Sequence, residues 1–265
     1  MTTIQKQFNQ VCTKKYVPLG FFRKKTTYIR LSGNVLQSFS LKHFKGRPYC
    51  SVDFGVTPLC LPQPFFLDVG PYSLNKFNVP ISEWPYDAKS AESILQCVES
   101  VSETIDLHML PFFEMCCDCR SALPELIKLE ELFDRNRIET LRLLGGYDSA
   151  APLEERSLCD YRKYYMALKA NDFSYARRYL EFQIDLHKKS LKEFDNPNYP
   201  KQPPSVKEGF LRKLHLHTSH LEHLNSGDVR FFSDMLAANE QETYRFLATN
   251  YPKILKAKDR PISWQ

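Results

Sequence analysis

Four histidines crowd one short stretch of the chain: His215, His217, His220 and His223. Imidazole nitrogens ligate metals and shuttle protons, so this cluster is where chemistry would first be sought. On a helix, His217, His220 and His223 step by three and share one arc. Zinc, however, needs three or four N or S ligands converging at about 2.0–2.3 Å. No Asp or Cys joins the arc, and Glu222 points the other way. His217 shares the apolar stripe of Phe210, Leu214 and Leu221. The pattern reads as one half-buried histidine, His217, and three solvated ones, with no metal held.

Cys116, Cys117 and Cys119 form a second cluster. Cys116 and Cys119 have Cys-x-x-Cys spacing, but a zinc knuckle requires a second pair or histidines further on. The nearest partners in sequence are Cys97 and His108. The three read as small residues at a helix junction. Cys12, Cys50, Cys60, Cys97 and Cys159 are scattered singly and read as buried reduced thiols.

There is no Gly-x-Ser-x-Gly elbow, no Walker loop, no Gly-x-Gly-x-x-Gly and no His-Glu-x-x-His. No catalytic residue and no cofactor are assigned. What remains is a basic, aromatic N-terminal stretch. Arg23, Lys24, Lys25, Arg30, Lys42, His43, Lys45 and Arg47 surround Phe21, Phe22, Tyr28, Phe44 and Tyr49. Cations beside rings on a small sheet are what a single-stranded nucleic acid uses for phosphate contact and stacking. Lys24, Tyr28, Arg30, Lys42, His43, Arg47 and, from a later loop, Trp84 are the candidate ligand-binding surface.

Charge is segregated along the chain. Residues 1–52 hold ten Lys or Arg and no acid, whereas residues 53–119 hold ten Asp or Glu and two Lys. The net charge of +5 conceals this polarity. Neighbouring segments of opposite charge are expected to fold against each other and neutralise the basic module.

The elements that would position these groups follow from periodicity. Ile4, Phe8, Val11 and Cys12 mark a helix ended by Pro18 and Gly20. Thr26–Leu31, Val35–Phe44 and Tyr49–Val56 alternate as strands, with turns at Gly33-Asn34 and Gly46-Arg47-Pro48. Val35, Phe39 and Leu41 face one way; Ser38, Ser40 and Lys42 face the other. The helix covers the apolar face of this meander. Residues 57–87 carry six prolines and read as a wrapping loop, with a short strand at Phe65–Val69 and anchors at Trp84 and Tyr86. Asp87 caps a helix over 88–110 that Pro111 stops.

From about 120 the periodicity is helical. Leu123–Phe133 and Ile138–Leu144 read as short helices broken by Gly145-Gly146. Helical hairpins follow at 154–170/173–194 and 206–225/229–237, turning at Asn171-Asp172 and Gly227-Asp228. Asn239 caps a last helix over 240–252. The expected fold class is α+β: an N-terminal helix-backed small antiparallel sheet (1–119) followed by an all-helical, helical-hairpin domain (120–265).

Leu19–Lys25 with Tyr28-Ile29-Arg30, then Gln37-Ser38-Phe39, Val52–Val56 and Leu110–Phe113, resemble a bacterial family, domain of unknown function 4304. The resemblance spans about residues 4–135 and departs between Leu61 and Asp87. It implies an α+β N-terminal domain and transfers no catalytic residue.

Hydrophobic residues at 43% and charged residues at 25% are the balance of a globular protein. No export signal and no run of about 18 apolar residues is present, so the chain is expected in the cytoplasm and not in a membrane. The function expected is that of a non-catalytic binding or regulatory protein with a protein or peptide partner, an immunity-type role in a bacterium being one analogy. The alternative is nucleic-acid binding through the basic module, and a weaker one is a metal-dependent enzyme.

Overall fold

A computed structural model describes residues 2–43, 47–62, 72–73, 84–143, 158, 160–194, 196 and 203–257, with side chains to 132 and to 255 in the helices that end at 143 and 257. The chain forms two compact units. One comprises Met1–Asp148 with Asn239–Gln265, the other Ser149–Ala238. The expected boundary at 119/120 therefore falls inside the first unit.

The first unit opens with α1 (Thr3–Tyr16), started by a capping box in which Thr2 and Gln5 satisfy each other's backbone N–H groups. Strands β1 (Phe22–Lys24), β2 (Thr27–Ser32), β3 (Val35–His43) and β4 (Tyr49–Pro58) then pair antiparallel in sequence order. Two short strands, β5 (Tyr72–Ser73) and β6 (Trp84–Pro85), pair with different parts of β4. The β2–β3 turn is Gly33-Asn34, closed by the Ser32–Val35 pair. Gly33 is required twice over. Its φ is +52°, and a Cβ there would lie 2.5 Å from the Cys117 carbonyl oxygen.

Alternation buries both faces of this sheet. On one face Tyr28 and Phe39 meet Phe8 and Tyr16 of α1, and Phe54 meets Phe112 and Phe113. Tyr28 stacks on Phe39 with centroids 5.0 Å apart, and Tyr16 and Phe21 meet Phe39 edge-on at 5.2 and 5.3 Å. On the other face Ile29, Leu36 and Leu59 form a core with Leu247, Tyr251 and Ile254. Ser38 and Ser40, on this second face, are buried as well.

Helix α2 (Ala91–Thr104) is capped by Ser90, not by the expected Asp87. Asp87 instead accepts from the Lys89 backbone N–H. Pro111 does not stop the chain. Five residues, Ile105–Met109, form a π-helical turn, and α3 (Leu110–Met115) continues with the proline in its first turn. The proline removes one N–H from a continuous helical run, and the wide turn relieves the ring's clash with the preceding turn. Helix α4 (Cys119–Leu143) is one element where two were expected, with Pro124 inside it. The expected strand at Phe65–Val69 and the break at Gly145-Gly146 lie outside the described residues.

The second unit is a helical-hairpin assembly. Helix α5 (Tyr161–Ala170) starts at Asp160 and ends on left-handed Asn171, and Asp172 accepts from Tyr175 N to start α6 (Phe173–Phe194). Helix α7 (Pro204–Ser226) ends on left-handed Gly227, and Asp228 accepts from Phe231 N to start α8. Helix α8 (Val229–Asn250) runs straight through Asn239, which is no cap. Asn239 lies within the helix, and its side-chain amide donates to Cys60 O at 3.0 Å. Helix α9 (Pro252–Ala257) ends the described chain. Every described helix and strand after residue 91 is helical, as the α+β class requires.

Candidate functional site

The seven candidate surface residues do not share a face. Tyr28 and Arg30 point under the helices. The Tyr28 hydroxyl donates to Asn9 O at 3.3 Å, and lies 3.1 Å from Thr13 Oγ1. Arg30 donates to Gln37 Oε1 at 2.8 Å and to Leu19 O at 3.3 Å, and its guanidinium lies 4.6 Å from the Phe21 ring centre. Burial holds the Arg30 pKa below its ordinary value, which Glu114 partly counters. Gln37 in turn donates to Phe113 O and Cys116 O, satisfying carbonyls at the end of α3.

Lys24 sits at the far edge, donating to the Tyr251 hydroxyl at 2.6 Å with its ammonium 4.2 Å from that ring's centre. Lys42 is on the second face, ion-paired with Asp53. The acidic segment does meet the basic one: Lys15 of α1 lies 2.9 Å from Asp106 and 2.8 Å from Ser102 Oγ. Tyr16 joins the same group, donating to Asp106 Oδ1 at 2.9 Å and lying 3.0 Å from Ser102 Oγ. This Ser–Lys–Tyr–Asp set resembles a catalytic constellation in composition. Ser102 and Tyr16 are fully buried, and the set fastens α1 to the π turn.

His43, Trp84 and Arg47 come together at one end of the sheet. Cys50 lies opposite His43 on one side and opposite Trp84 on the other. The His43 and Tyr86 rings are 6.3 Å apart, and Arg47 donates to the Tyr49 hydroxyl. Trp84 and Tyr86 are buried, and Tyr86 N donates to Pro48 O, so both anchor the loop as expected. Beneath them the sequence reading missed a thiol pair. Cys50 Sγ lies 3.6 Å from Cys97 Sγ of α2, and Cys97 donates to Trp84 O at 3.7 Å. The cysteines are 47 positions apart, and nothing local marks them as partners.

The cysteine triplet is a junction, as its composition suggested. Cys116 and Cys119 are buried and Cys117 is exposed. Asn34 Oδ1 accepts from Cys119 N at 2.8 Å, which satisfies a donor at the start of α4.

His217 is half-buried and His215 exposed, as expected, whereas His220 and His223 are not fully solvated. His220, read as solvated, is buried; its Nδ1 lies 2.8 Å from the Tyr164 hydroxyl. Burial, with His223 nearby, pushes the His220 pKa down to about 4, so the ring is neutral near pH 7. His217 stacks on His187 with centroids 5.2 Å apart and planes within 10°. Burial, then His187, His220 and Lys213, lower the His217 pKa to about 4. His187 is only 5% exposed, and neither ring nitrogen has a hydrogen-bond partner among the described residues. Tyr179 links this pair to Tyr164, which it stacks on at 4.8 Å. His223 stacks on Phe231 at 3.7 Å and lies 3.0 Å from Asp228. The result is a ladder of rings through the second unit. Among the described residues no group of three or more His, Cys, Asp or Glu is placed to hold a metal ion.

Among the same residues no helix is long and apolar enough to cross a membrane. Compared with known proteins, the chain matches no family model, no curated protein and no solved structure.

Proposed function

We propose that the chain is a non-catalytic binding protein of the cytoplasm whose ligand is another protein. The observation that carries this reading is three large apolar side chains left in water, each beside buried, bonded neighbours. Leu107 is 71% exposed, Met115 51% and Val17 42%. Leu107 lies in the π turn next to Asp106, and Val17 follows Tyr16, whose hydroxyl donates to the Asp106 carboxylate. Phe21 links Tyr16 to Phe113 of α3, which also carries Met115. Exposed apolar side chains held by buried bonds are what a partner can cover at small entropic cost. The resemblance to the domain of unknown function 4304 family belongs to this reading and adds no residue to it.

Nucleic-acid binding is disfavoured on the same geometry. Phe21 and Tyr28 are core rings and cannot stack on bases, while Lys15 and Lys42 already face carboxylates. Labelled single-stranded DNA is expected to bind weakly at low salt and to be lost near roughly 0.15 M, measured by anisotropy. Retention there at micromolar concentration would favour the alternative.

The direct test places a photo-reactive phenylalanine analogue at position 107 in the native host. The expected result is a discrete adduct with one protein, absent when the analogue is at exposed Glu222, and abolished by Met115→Glu. Equal or no cross-linking at both positions refutes the reading.

A further inference from the structure

We propose that Cys50 and Cys97 are a redox pair that closes reversibly into a disulfide by exchange with a small-molecule disulfide of the glutathione kind.

The geometry supplies the reason. The sulfurs stand 3.6 Å apart, one on β4 and one on α2, with no side chain between them. Both thiols are free in this structure, so the pair is in its reduced form. Forming the bond brings the sulfurs from 3.6 Å to about 2.05 Å. Two buried thiols in contact satisfy each other poorly, since sulfur is a weak donor and a weak acceptor. A covalent bond there replaces a weak contact.

The order of reaction also follows from the site. Cys50 is fully buried, whereas Cys97 keeps 6% exposure beside Tyr86. The hydrogen bond with Cys50 holds the Cys97 thiol below its ordinary pKa, against the opposing effect of burial. Cys97 is thus the attacking thiolate. It displaces one glutathione as thiolate and becomes the mixed disulfide. Cys50 then attacks the Cys97 sulfur and displaces the second glutathione. Two electrons pass from the protein to the small disulfide, and the two thiol protons end on the two glutathiones released. The bond formed closes a loop from Cys50 to Cys97 and pins α2 to the sheet.

The test uses the full-length reduced chain carrying Cys117→Ser, which removes the exposed thiol. After incubation with oxidised glutathione, its denatured mass should fall by two hydrogen atoms, and digestion should yield a Cys50–Cys97 linked peptide. Dithiothreitol should reverse both. The thermal midpoint should rise on oxidation by on the order of 5 °C. With Cys50→Ser added, the reaction should stop at a glutathione adduct on Cys97. With Cys97→Ser added, Cys50 should stay unmodified. No loss of hydrogen in a chain with native circular dichroism overturns the proposal, as does a linked peptide from any other pair.

Discussion

Acidifying the protein from pH 7 toward pH 4 is expected to weaken the helical unit far more than its carboxylates alone would dictate. His217 and His220 are both lowered to about 4, against an ordinary value of 6.5. The unfolded chain therefore binds protons that the folded chain refuses across this window. Stability rises with pH wherever the unfolded state holds more protons. The neutral-histidine contribution is fully present above about pH 6.5 and is lost progressively as pH falls to about 4. Each histidine is worth on the order of 3 kcal/mol over that interval, and the shared neighbours make the two less than additive. The cations facing them worsen the penalty: Lys213 acts on both His187 and His217, and His223 acts on His220. Asp228, held below its ordinary carboxylate value mainly by the Phe231 backbone N–H, titrates below this window. Urea unfolding followed by circular dichroism at several pH values measures the effect. His217→Phe keeps the stack and removes a titrating group, so it should flatten the curve between pH 6.5 and 4. An unchanged slope in that variant would show that the stack is not the sensor.

Removing the chain beyond Ala238 is expected to unfold the sheet, even though the sheet ends before residue 90. Leu247, Tyr251 and Ile254 are the described cover for Ile29, Leu36 and Leu59. A sheet with one bare apolar face exposes a patch that monomeric proteins rarely tolerate. The single substitution Leu247→Ala, at a fully buried position, should cost about 2–5 kcal/mol. Leu247→Asp buries an unpaired charge and should abolish folding of the first unit. The readout is Tyr28 and Phe39 environment by near-ultraviolet circular dichroism, with expression yield as a second measure. A chain ending at 238 that retained a cooperative transition of the sheet would sink this account.

Part of the fold was legible in local pattern. Gly33-Asn34 between two alternating runs announced a hairpin, and Asn171-Asp172 and Gly227-Asp228 announced helix ends, because those residues have a local reason to be there. The second cover of the sheet was not legible, since amphipathicity in 240–254 names an apolar stripe but not its partner. One signal was available. Tyr28 next to Ile29, and Leu36 within a strand whose other face carries Phe39, place large apolar groups on both faces, the pattern of a sheet buried on both sides. The same signal would have withdrawn Tyr28 and Arg30 from the candidate surface. Asn239 was misread because a residue that favours helix starts also serves as a hydrogen-bond donor from within a helix. The Cys50–Cys97 contact joins a strand to a helix 47 positions away, and only the packing of α2 brings it about.

The last strand-flanking contacts lie at Leu59 and Ile254, with the whole helical unit encoded between them. During synthesis the sheet is made early, and its second cover is made about 200 residues later. At about 5–20 residues per second that interval is ~10–40 s. Throughout it Ile29, Leu36 and Leu59 lack the cover of Leu247, Tyr251 and Ile254. For that interval the nascent sheet carries a bare apolar face, a surface prone to aggregation.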